Sequence, residues 1–300
     1  MTGPRKLWTR WVDRCGRLED SRPLALVRIG VAACVLGDLL RVAWLGLLPH
    51  VFHLYSDGGI NKFPDSALVV DAWFGTHTGP FLAALTGLCM VLVLLGRWTG
   101  PAILIGVLAY AQLGHLFPPG DRGIDRILRT TLLILMFADS HRRLSLDPRQ
   151  MRPRIPAWSM DLIRFLLVMV YLSAGVSKLM TTQAWVSVQE WPVLFRIMTD
   201  PLAAHMDPAG GVWVMPLFHL GSWATVLLEC SSPLLLTRWR RHWAIFGVTM
   251  HLGIAMTMEL GMFSWGMLAL YPVLLCRDTK TRSPEIQASI ESQSAQDRGA

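Results

Sequence analysis

The chain is divided into long apolar blocks, and most of them are long enough to cross a lipid bilayer as a helix. Such a helix needs about 20 apolar residues, because it rises about 1.5 Å per residue across a core about 30 Å thick. Of the 300 residues, 52% are hydrophobic and 16% charged, whereas soluble domains are about one quarter charged. We therefore predict an all-α, polytopic transmembrane helical bundle. The predicted spans are 24–48, 80–96, 99–117, 126–141, 160–180, 212–236, 243–258 and 261–276.

Basic residues cluster in alternate connections between these spans. Cytoplasmic connections of membrane proteins carry the excess of basic residues, so the pattern predicts eight spans with both termini inside. The formal charge of +7 then reflects orientation, and we expect no nucleic acid partner. Some of the predicted spans are short. Six spans is the alternative, because removing two adjacent spans keeps the other basic connections on the same side of the membrane. The inner basic residues are Arg97, Arg142, Arg143, Arg149, Arg152, Arg154, Arg238, Arg240, Arg241, Arg277, Lys280 and Arg282.

Three regions differ in composition. Residues 1–22 contain Trp8, Trp11 and several basic residues, which predicts an interfacial helix lying on membrane lipid. Residues 23–277 hold the spans. Residues 278–300 are polar and predicted to be disordered. We recognise no cleavable signal peptide, and the short loops favour a bacterial cytoplasmic membrane.

Two predicted outer connections, at about 49–79 and 181–211, are long. The stretch from Trp185 to Phe195 predicts an amphipathic helix on the outer surface, which is also where we expect any protein partner. His50 and His53 have no carboxylate or cysteine beside them, so no metal site is predicted.

Four charged residues inside the spans are interpreted as structural. Asp38 and Arg41 stand three residues apart and are expected to pair across one helical turn. Arg28 lies near the inner end, where its side chain can snorkel to the surface. Glu229 has no neutralising neighbour in its own span, so it requires a partner on another helix or a proton.

Lys178 lies one turn from the outer end of the fifth predicted span, in "YLSAGVSKLM". Its side chain can snorkel to the surface. Alternatively it turns into the bundle, where a low dielectric favours the neutral amine, which can act as a base. Tyr171 lies on the same helical face, and Ala174 and Gly175 leave room there for another helix or a flat ligand.

Other polar groups lie in or beside the later spans. Asp125 and Arg129 stand at the outer start of the fourth span, where an aspartate also complements the helix dipole. His251 lies in the middle of the seventh span, either as an ordinary core histidine or as a proton relay. Glu259 ends that span on the outer side.

Four segments together resemble one protein family. They occur in the same order in the membrane domain of vitamin K-dependent gamma-glutamyl carboxylase and its bacterial relatives, the HTTM (horizontally transferred transmembrane) proteins. In that family a histidine also precedes the last segment, as His251 does here, and a tryptophan follows the third, as Trp185 does. The segments are "LALVRIGVAACVLGDLL", "YSDGGINKFP", "VYLSAGVSKLM" and "GMFSWGMLALYPVLL".

The resemblance implies that Lys178 is the base that deprotonates a vitamin K-like hydroquinone, which then reacts with dioxygen. In the carboxylase the product of that reaction removes a proton from a peptide glutamate. Two features depart from the family. The histidine near the start of its fourth span is missing, with Asp125 nearby instead. The chain also ends about 25 residues after its last span, so we expect no large luminal domain, and peptide carboxylation does not follow.

Three functions are open at this point. The first is a quinol-dependent membrane enzyme, since an apolar cleft in a helical bundle suits an isoprenoid quinone. The second is a non-catalytic scaffold or maturation partner in a bacterial peptide or toxin system. The third is a proton-coupled transporter that uses Glu229 and His251. The first hypothesis assigns Lys178, Asp125 and His251 to catalysis and Tyr171, Trp185, Arg129 and Glu259 to quinone binding.

Overall fold

A computed structural model of the protein describes most of the apolar blocks. Within the described residues the fold is helical apart from one small antiparallel sheet, in which β1 (Leu18–Asp20) pairs with β2 (Arg154–Pro156). The all-α prediction is thus confirmed. The described residues are 12–13, 16–52, 59, 75–146, 152–181, 185–187, 191–200, 213 and 215–275.

Most of the helices follow the predicted apolar blocks with ends that differ by a few residues, and two short helices lie in the predicted connections. They are α1 (Arg22–Trp44), α2 (Leu48–Phe52), α3 (Thr78–Leu95), α4 (Thr99–Leu116), α5 (Gly123–Phe137), α6 (Trp158–Thr181), α7 (Val193–Met198), α8 (Met215–Cys230), α9 (Arg240–Thr257), α10 (Phe263–Leu268) and α11 (Pro272–Leu275).

Among the described helices, α1, α3, α4 and α6 are long and apolar enough to cross a membrane by length and composition. Their outer faces leave large apolar side chains exposed, among them Leu40, Leu88 and Leu108. Such faces are expected where a helix meets lipid. The remaining predicted spans form shorter or less apolar helices.

Proline interrupts two of the predicted spans. The span predicted at 212–236 forms α8 and then a 3-10 helix at Ser232–Leu236 that contains Pro233. The span predicted at 261–276 is divided into α10 and α11, and α11 begins at Pro272. Proline donates no backbone N–H and disfavours helical geometry in the residue before it, so a continuous helix ends there.

Two predicted surface helices differ from the structure. The interfacial helix over 1–22 falls mainly outside the described residues, and its last part is β1 rather than helix. In the stretch predicted as an amphipathic helix from Trp185 to Phe195, the structure describes a helix from Val193, directly after Pro192, which suits the start of a helix but not its interior. Residues 188–190 of this stretch lie outside the described residues. The predicted disordered tail lies outside the described residues.

The core is formed by neighbouring helices packed in chain order and closed by the C-terminal segment. α3 packs against α1 and α4, α4 packs against α5, and α6 packs against α8. α10 and α11 lie against α1 and α9. Gly30 on α1 permits this approach, because a Cβ at that position would lie 2.8 Å from the Cβ of Ala269.

Candidate functional site

Lys178 points into the bundle and pairs with Glu229. Its Nζ, on α6, lies 2.5 and 2.7 Å from the two carboxylate oxygens of Glu229, on α8. The lysine side chain is 20% exposed and the glutamate side chain 8%. A charge buried to this degree is unfavourable unless it is paired, and each residue supplies the other's partner. The lysine does not snorkel, and Glu229 has the partner on another helix that its position required.

Gly175 brings the two helices together at this pair. A Cβ on Gly175 would lie 2.8 Å from Sγ of Cys230 and 3.0 Å from Cβ of Glu229. Any larger residue on this face of α6 would therefore displace the end of α8. Ala174 and Gly175 were predicted to leave room for another helix or a flat ligand, and at Gly175 that neighbour is the helix α8.

The Trp185 ring lies against the amine of Lys178. The Nζ of Lys178 lies 4.9 Å from the centroid of the Trp185 ring, within the range of a cation–π contact. The side chain predicted to hold a quinone ring thus contacts the predicted base directly.

Tyr171 and His251 belong to a separate buried cluster. The Tyr171 hydroxyl lies 2.6 Å from Nε2 of His251 and 2.7 Å from the Tyr271 hydroxyl, and all three side chains are buried. The Nδ1 of His251 has no hydrogen-bond partner among the described residues. Trp243 packs edge-on against Tyr171, with the ring centroids 4.9 Å apart.

The tyrosine–histidine cluster (Tyr171, His251 and Tyr271) shares a face of α6 with the lysine–glutamate pair. Seven residues of helix separate Tyr171 from Lys178, a rise of about 10 Å. Within the described residues no hydrogen bond joins Glu229 to His251. Among the described residues, the two side chains of the predicted proton relay are therefore not hydrogen-bonded to each other.

Asp125 lies in a third group, at the start of α5. Its carboxylate accepts a hydrogen bond of 2.6 Å from the Tyr110 hydroxyl and one of 2.9 Å from the backbone N–H of Arg122. The Arg122 guanidinium also donates to Asp125 at 3.0 Å and to Asp38, on α1, at 2.6 Å. These contacts are those of a residue that caps a helix and holds α5 against α1.

Arg122 keeps its positive charge in this position. Burial lowers its pKa, but the hydrogen bonds and charges of Asp125 and Asp38 outweigh burial and raise the pKa above the ordinary arginine value. The guanidinium is a planar fork, so it can bridge two carboxylates at once.

The expected pair of Asp38 with Arg41 is wrong. Asp38 binds Arg122, and Arg41 lies 3.3 Å from Glu259 in a half-exposed ion pair. Spacing within one helix permits the predicted pair, but the fold brings a partner from another element to each residue. Arg129 likewise pairs with Asp121 at 2.6 Å.

A cavity of about 510 Å³ lies among these charges, between the ends of α1, α4 and α5 and residues 259–261. The predicted residues Asp125, Arg129 and Glu259 line it together with apolar side chains such as Leu39 and Leu113. Its volume is within the range of small-molecule sites. We call it the arginine–carboxylate cavity. Lys178, Trp185 and His251 are not among its lining residues.

The structure thus divides the predicted site into three groups. Lys178 and Trp185 meet at Glu229, Tyr171 meets His251, and the remaining predicted residues meet at the arginine–carboxylate cavity. The reason is that the residues lie at different levels of α6 or on different helices, and a one-dimensional pattern does not say which of these positions meet in the fold.

Arg28 also differs from its predicted position. It is fully buried, and its guanidinium donates a hydrogen bond of 2.5 Å to the backbone carbonyl oxygen of Leu144. Snorkelling to the surface is therefore wrong for this residue, because α1 is surrounded by other elements at that level.

Sequence reasoning missed several residues of these groups. Arg122 precedes Asp125 by three residues, a spacing that could have indicated a helix cap. Tyr110 and Tyr271 carry no such signal, since a tyrosine in an apolar block is ordinary. Among the described residues no group of three or more metal-binding side chains occurs.

Comparison with known families gives one result. The family model of the HTTM domain matches residues 127–278. The match includes "VYLSAGVSKLM" and "GMFSWGMLALYPVLL", which contain Lys178, Tyr171 and Tyr271. No curated protein and no solved structure matches the chain.

Proposed function

The chain belongs to the HTTM domain family, and from this premise we propose that it is a membrane enzyme that removes a proton from a quinol by means of the Lys178–Glu229 pair. One observation carries the proposal. An amine near the end of a membrane helix is turned inward, bound by both oxygens of a buried carboxylate and covered by an indole ring.

The pair can generate a base without a change in net charge. When one proton moves from Nζ of Lys178 to a carboxylate oxygen of Glu229, a neutral amine stands beside a neutral acid. Separated charges are disfavoured in a low dielectric, so the neutral form becomes accessible there. The amine then takes the proton of a quinol hydroxyl: the O–H bond breaks, an N–H bond forms, and the ammonium stabilises the quinolate.

The surroundings of Lys178 suit a lipid-soluble substrate. Val176, Leu179 and Met180 are exposed on the same end of α6, so this end presents an apolar surface to the bilayer. An isoprenoid tail can remain in lipid while an aromatic head reaches the amine beside Trp185.

The same proposal includes the finer topology. We infer eight spans with both termini on the cytoplasmic side of a bacterial cytoplasmic membrane, supported by the basic residues at alternate connections. Single cysteines introduced at the exposed positions Arg238 and Arg126, after replacement of the native cysteines, test it. An impermeant thiol reagent added to intact cells should label Arg126→Cys and not Arg238→Cys, and the reverse labelling would contradict the inferred orientation.

Quinol turnover tests the function. Purified protein is supplied with vitamin K hydroquinone, oxygen consumption is followed, and bound quinone is measured by mass spectrometry. Loss of a general base lowers a rate by about 10² to 10⁴-fold, so we expect Lys178→Met to lose oxygen consumption to that extent. We expect Glu229→Gln to lose it as well, because the lysine can no longer pass on its proton.

Arg126→Gln is the matched control. It removes a largely exposed cation that pairs with Asp121, and it should leave both readouts unchanged. Equal oxygen consumption by the native protein and Lys178→Met would contradict the proposal that Lys178 is the base. Retention of quinone by Lys178→Met, with turnover lost, would place the lysine in the chemistry and not in binding.

A further inference from the structure

The arginine–carboxylate cavity has no role in the quinol proposal, and its lining residues point to a ligand of its own. The C-terminal part of α1, the end of α4 and the start of α5 surround it, together with residues 259–261. The ends of helices in a membrane bundle are expected near the boundary between hydrocarbon and water. A ligand at this depth can have both a polar and an apolar part.

Apolar residues from the end of α1 onward line part of the cavity and also reach the exposed surface of the bundle. Leu45 and Leu260 line the cavity and are 57% and 41% exposed. Trp44, next to Leu45, is 90% exposed, and tryptophan is typical of the head-group region of a membrane. This side of the cavity can therefore hold the first part of an acyl chain whose remainder stays in the bilayer.

The charged residues of the lining carry an excess of one negative charge. Among the described lining residues, carboxylates outnumber guanidiniums by four to three. Asp38 and Asp125 share the single guanidinium of Arg122, whereas each of the other two carboxylates has an arginine of its own. An unbalanced charge in a partly buried site favours a ligand of opposite sign, so the excess lies at Asp38 and favours a cationic group there.

Two polar atoms of these lining residues have no partner. Oδ2 of Asp38 accepts from Arg122, while its Oδ1 accepts no hydrogen bond among the described residues. Arg122 donates through Nε and Nη2, while its Nη1 donates to none of the described residues. Neither atom is among the enclosed unpartnered atoms of the described chain, so both are accessible. The two side chains are 24% and 37% exposed.

Gly261 leaves the guanidinium groups uncovered. Its φ is +58°, in the left-handed region that favours glycine. A Cβ at this position would lie 3.0 Å from Nη1 of Arg122 and 3.6 Å from Nη1 of Arg41, so a side chain there would cover both groups. The open donors of Arg122 and Arg41 thus lie near one point, and the open acceptor of Asp38 belongs to the same ion pair as Arg122.

We propose that the arginine–carboxylate cavity binds a phospholipid whose head group carries a primary ammonium besides its phosphate. The ammonium donates to the open oxygen of Asp38 and offsets the excess negative charge, while Arg122 and Arg41 donate to the phosphate. The acyl chains leave the cavity along Leu45 and Leu260 into the bilayer. A lipid with a net negative charge would add to the excess, and a quaternary ammonium has no N–H to donate.

A head-group series measured on the full-length native protein tests the site. Phospholipids with identical dioleoyl chains and an ethanolamine, choline or glycerol head group are titrated in detergent, and bound lipid is counted by native mass spectrometry. We expect the ethanolamine lipid to bind about tenfold more tightly than the choline lipid, the size of one hydrogen bond to a charged group. The anionic glycerol lipid should also bind more weakly than the ethanolamine lipid, because the excess carboxylate repels it.

Three variants locate the preference. Asp38→Asn should remove it, so that the ethanolamine and choline lipids bind alike. Arg41→Gln should weaken both of these lipids and retain the preference, because both carry the phosphate. Lys178→Met should bind lipid like the native protein, since Lys178 does not line the cavity. This site and the quinol proposal can therefore fail separately.

Asp139→Asn is the control for Asp38→Asn. Asp139 is also a partly exposed carboxylate paired with an arginine, Arg142, at 3.2 Å, and it does not line this cavity. This variant should keep the native preference. Equal preference in Asp38→Asn and Asp139→Asn, or tighter binding of the glycerol than of the ethanolamine lipid by the native protein, would overturn the proposal. Because the head-group series uses the native protein, its result does not depend on the folding of any variant.

Discussion

Individual polar residues inside this bundle are held by partners on other helices. Lys178 is held by Glu229, and the Tyr171 hydroxyl is shared by His251 and Tyr271. Each group depends on its partner, because these side chains are largely or fully buried. Two predictions follow at this scale.

The Lys178–Glu229 pair should respond unequally to loss of either member. Lys178→Met leaves Glu229 buried and unpaired, which should destabilise the fold by about 3 kcal/mol. Glu229→Gln leaves a more exposed lysine whose long stem can reach water, so we expect about 1 kcal/mol. Unfolding of the purified variants in detergent measures both, and the double variant should cost less than the sum. Equal losses in the two single variants would contradict this asymmetry.

Tyr171→Phe should destabilise the fold more than Tyr271→Phe. The first change leaves two buried partners without a hydrogen bond, at about 1–3 kcal/mol for each. The second removes a single hydrogen bond from the cluster. The melting temperatures in detergent give the order, and the opposite order would show that the Tyr171 hydroxyl is not the shared group.

Proline residues set several of the helix boundaries in this protein. α11 begins at Pro272, and the helical segment after α8 contains Pro233. Sequence patterns located the apolar blocks, but these two prolines interrupt spans that were predicted as continuous. They did not reveal how closely two helices approach, since that depends on which glycine meets which neighbour.

Gly175→Ala should push α6 and α8 apart. The new Cβ would lie 2.8 Å from Sγ and 3.0 Å from the backbone nitrogen of Cys230, and backbone cannot yield easily. We expect a loss of about 1–3 kcal/mol in unfolding free energy, together with lower quinol turnover, because Lys178 and Glu229 would separate.

Gly253→Ala is the control for that change. Gly253 is also helical, in α9, and a Cβ there would meet nothing within 4 Å. Alanine favours the helix by about 0.5–1 kcal/mol over glycine, so this variant should be as stable as the native protein or more so. Equal destabilisation by both changes would show that helix contact is not the cause.

Over the whole molecule, one buried arginine joins the two ends of the described chain. Arg164 on α6 donates to Glu19 of β1 at 2.9 Å and to the carbonyl oxygen of Val273 in α11 at 3.0 Å. Asp161 provides a further acceptor at 2.7 Å. Arg164 thereby connects both β1 and α11 to α6.

Glu19→Gln should loosen this connection. The change leaves the Arg164 side chain, 3% exposed, with fewer negative partners, and we expect a loss of about 2–3 kcal/mol. Hydrogen exchange should increase at both β1 and α11. Arg126→Gln removes a largely exposed cation and leaves Asp121 paired with Arg129, so it should change stability by less than about 1 kcal/mol. Faster exchange at β1 alone would show that Arg164 does not couple the two ends.

The amino-acid sequence by itself determined the all-α class, the positions of the apolar helices and the family motif around Lys178, because these depend on local hydrophobicity and spacing. Only the tertiary structure decided that Lys178 binds Glu229, that Asp38 binds Arg122 rather than Arg41, and that Arg28 is buried. In a bundle whose longest helices are mostly apolar, periodicity does not say which face meets which neighbour. The partner of a buried charge is determined by packing between segments that are far apart in the sequence.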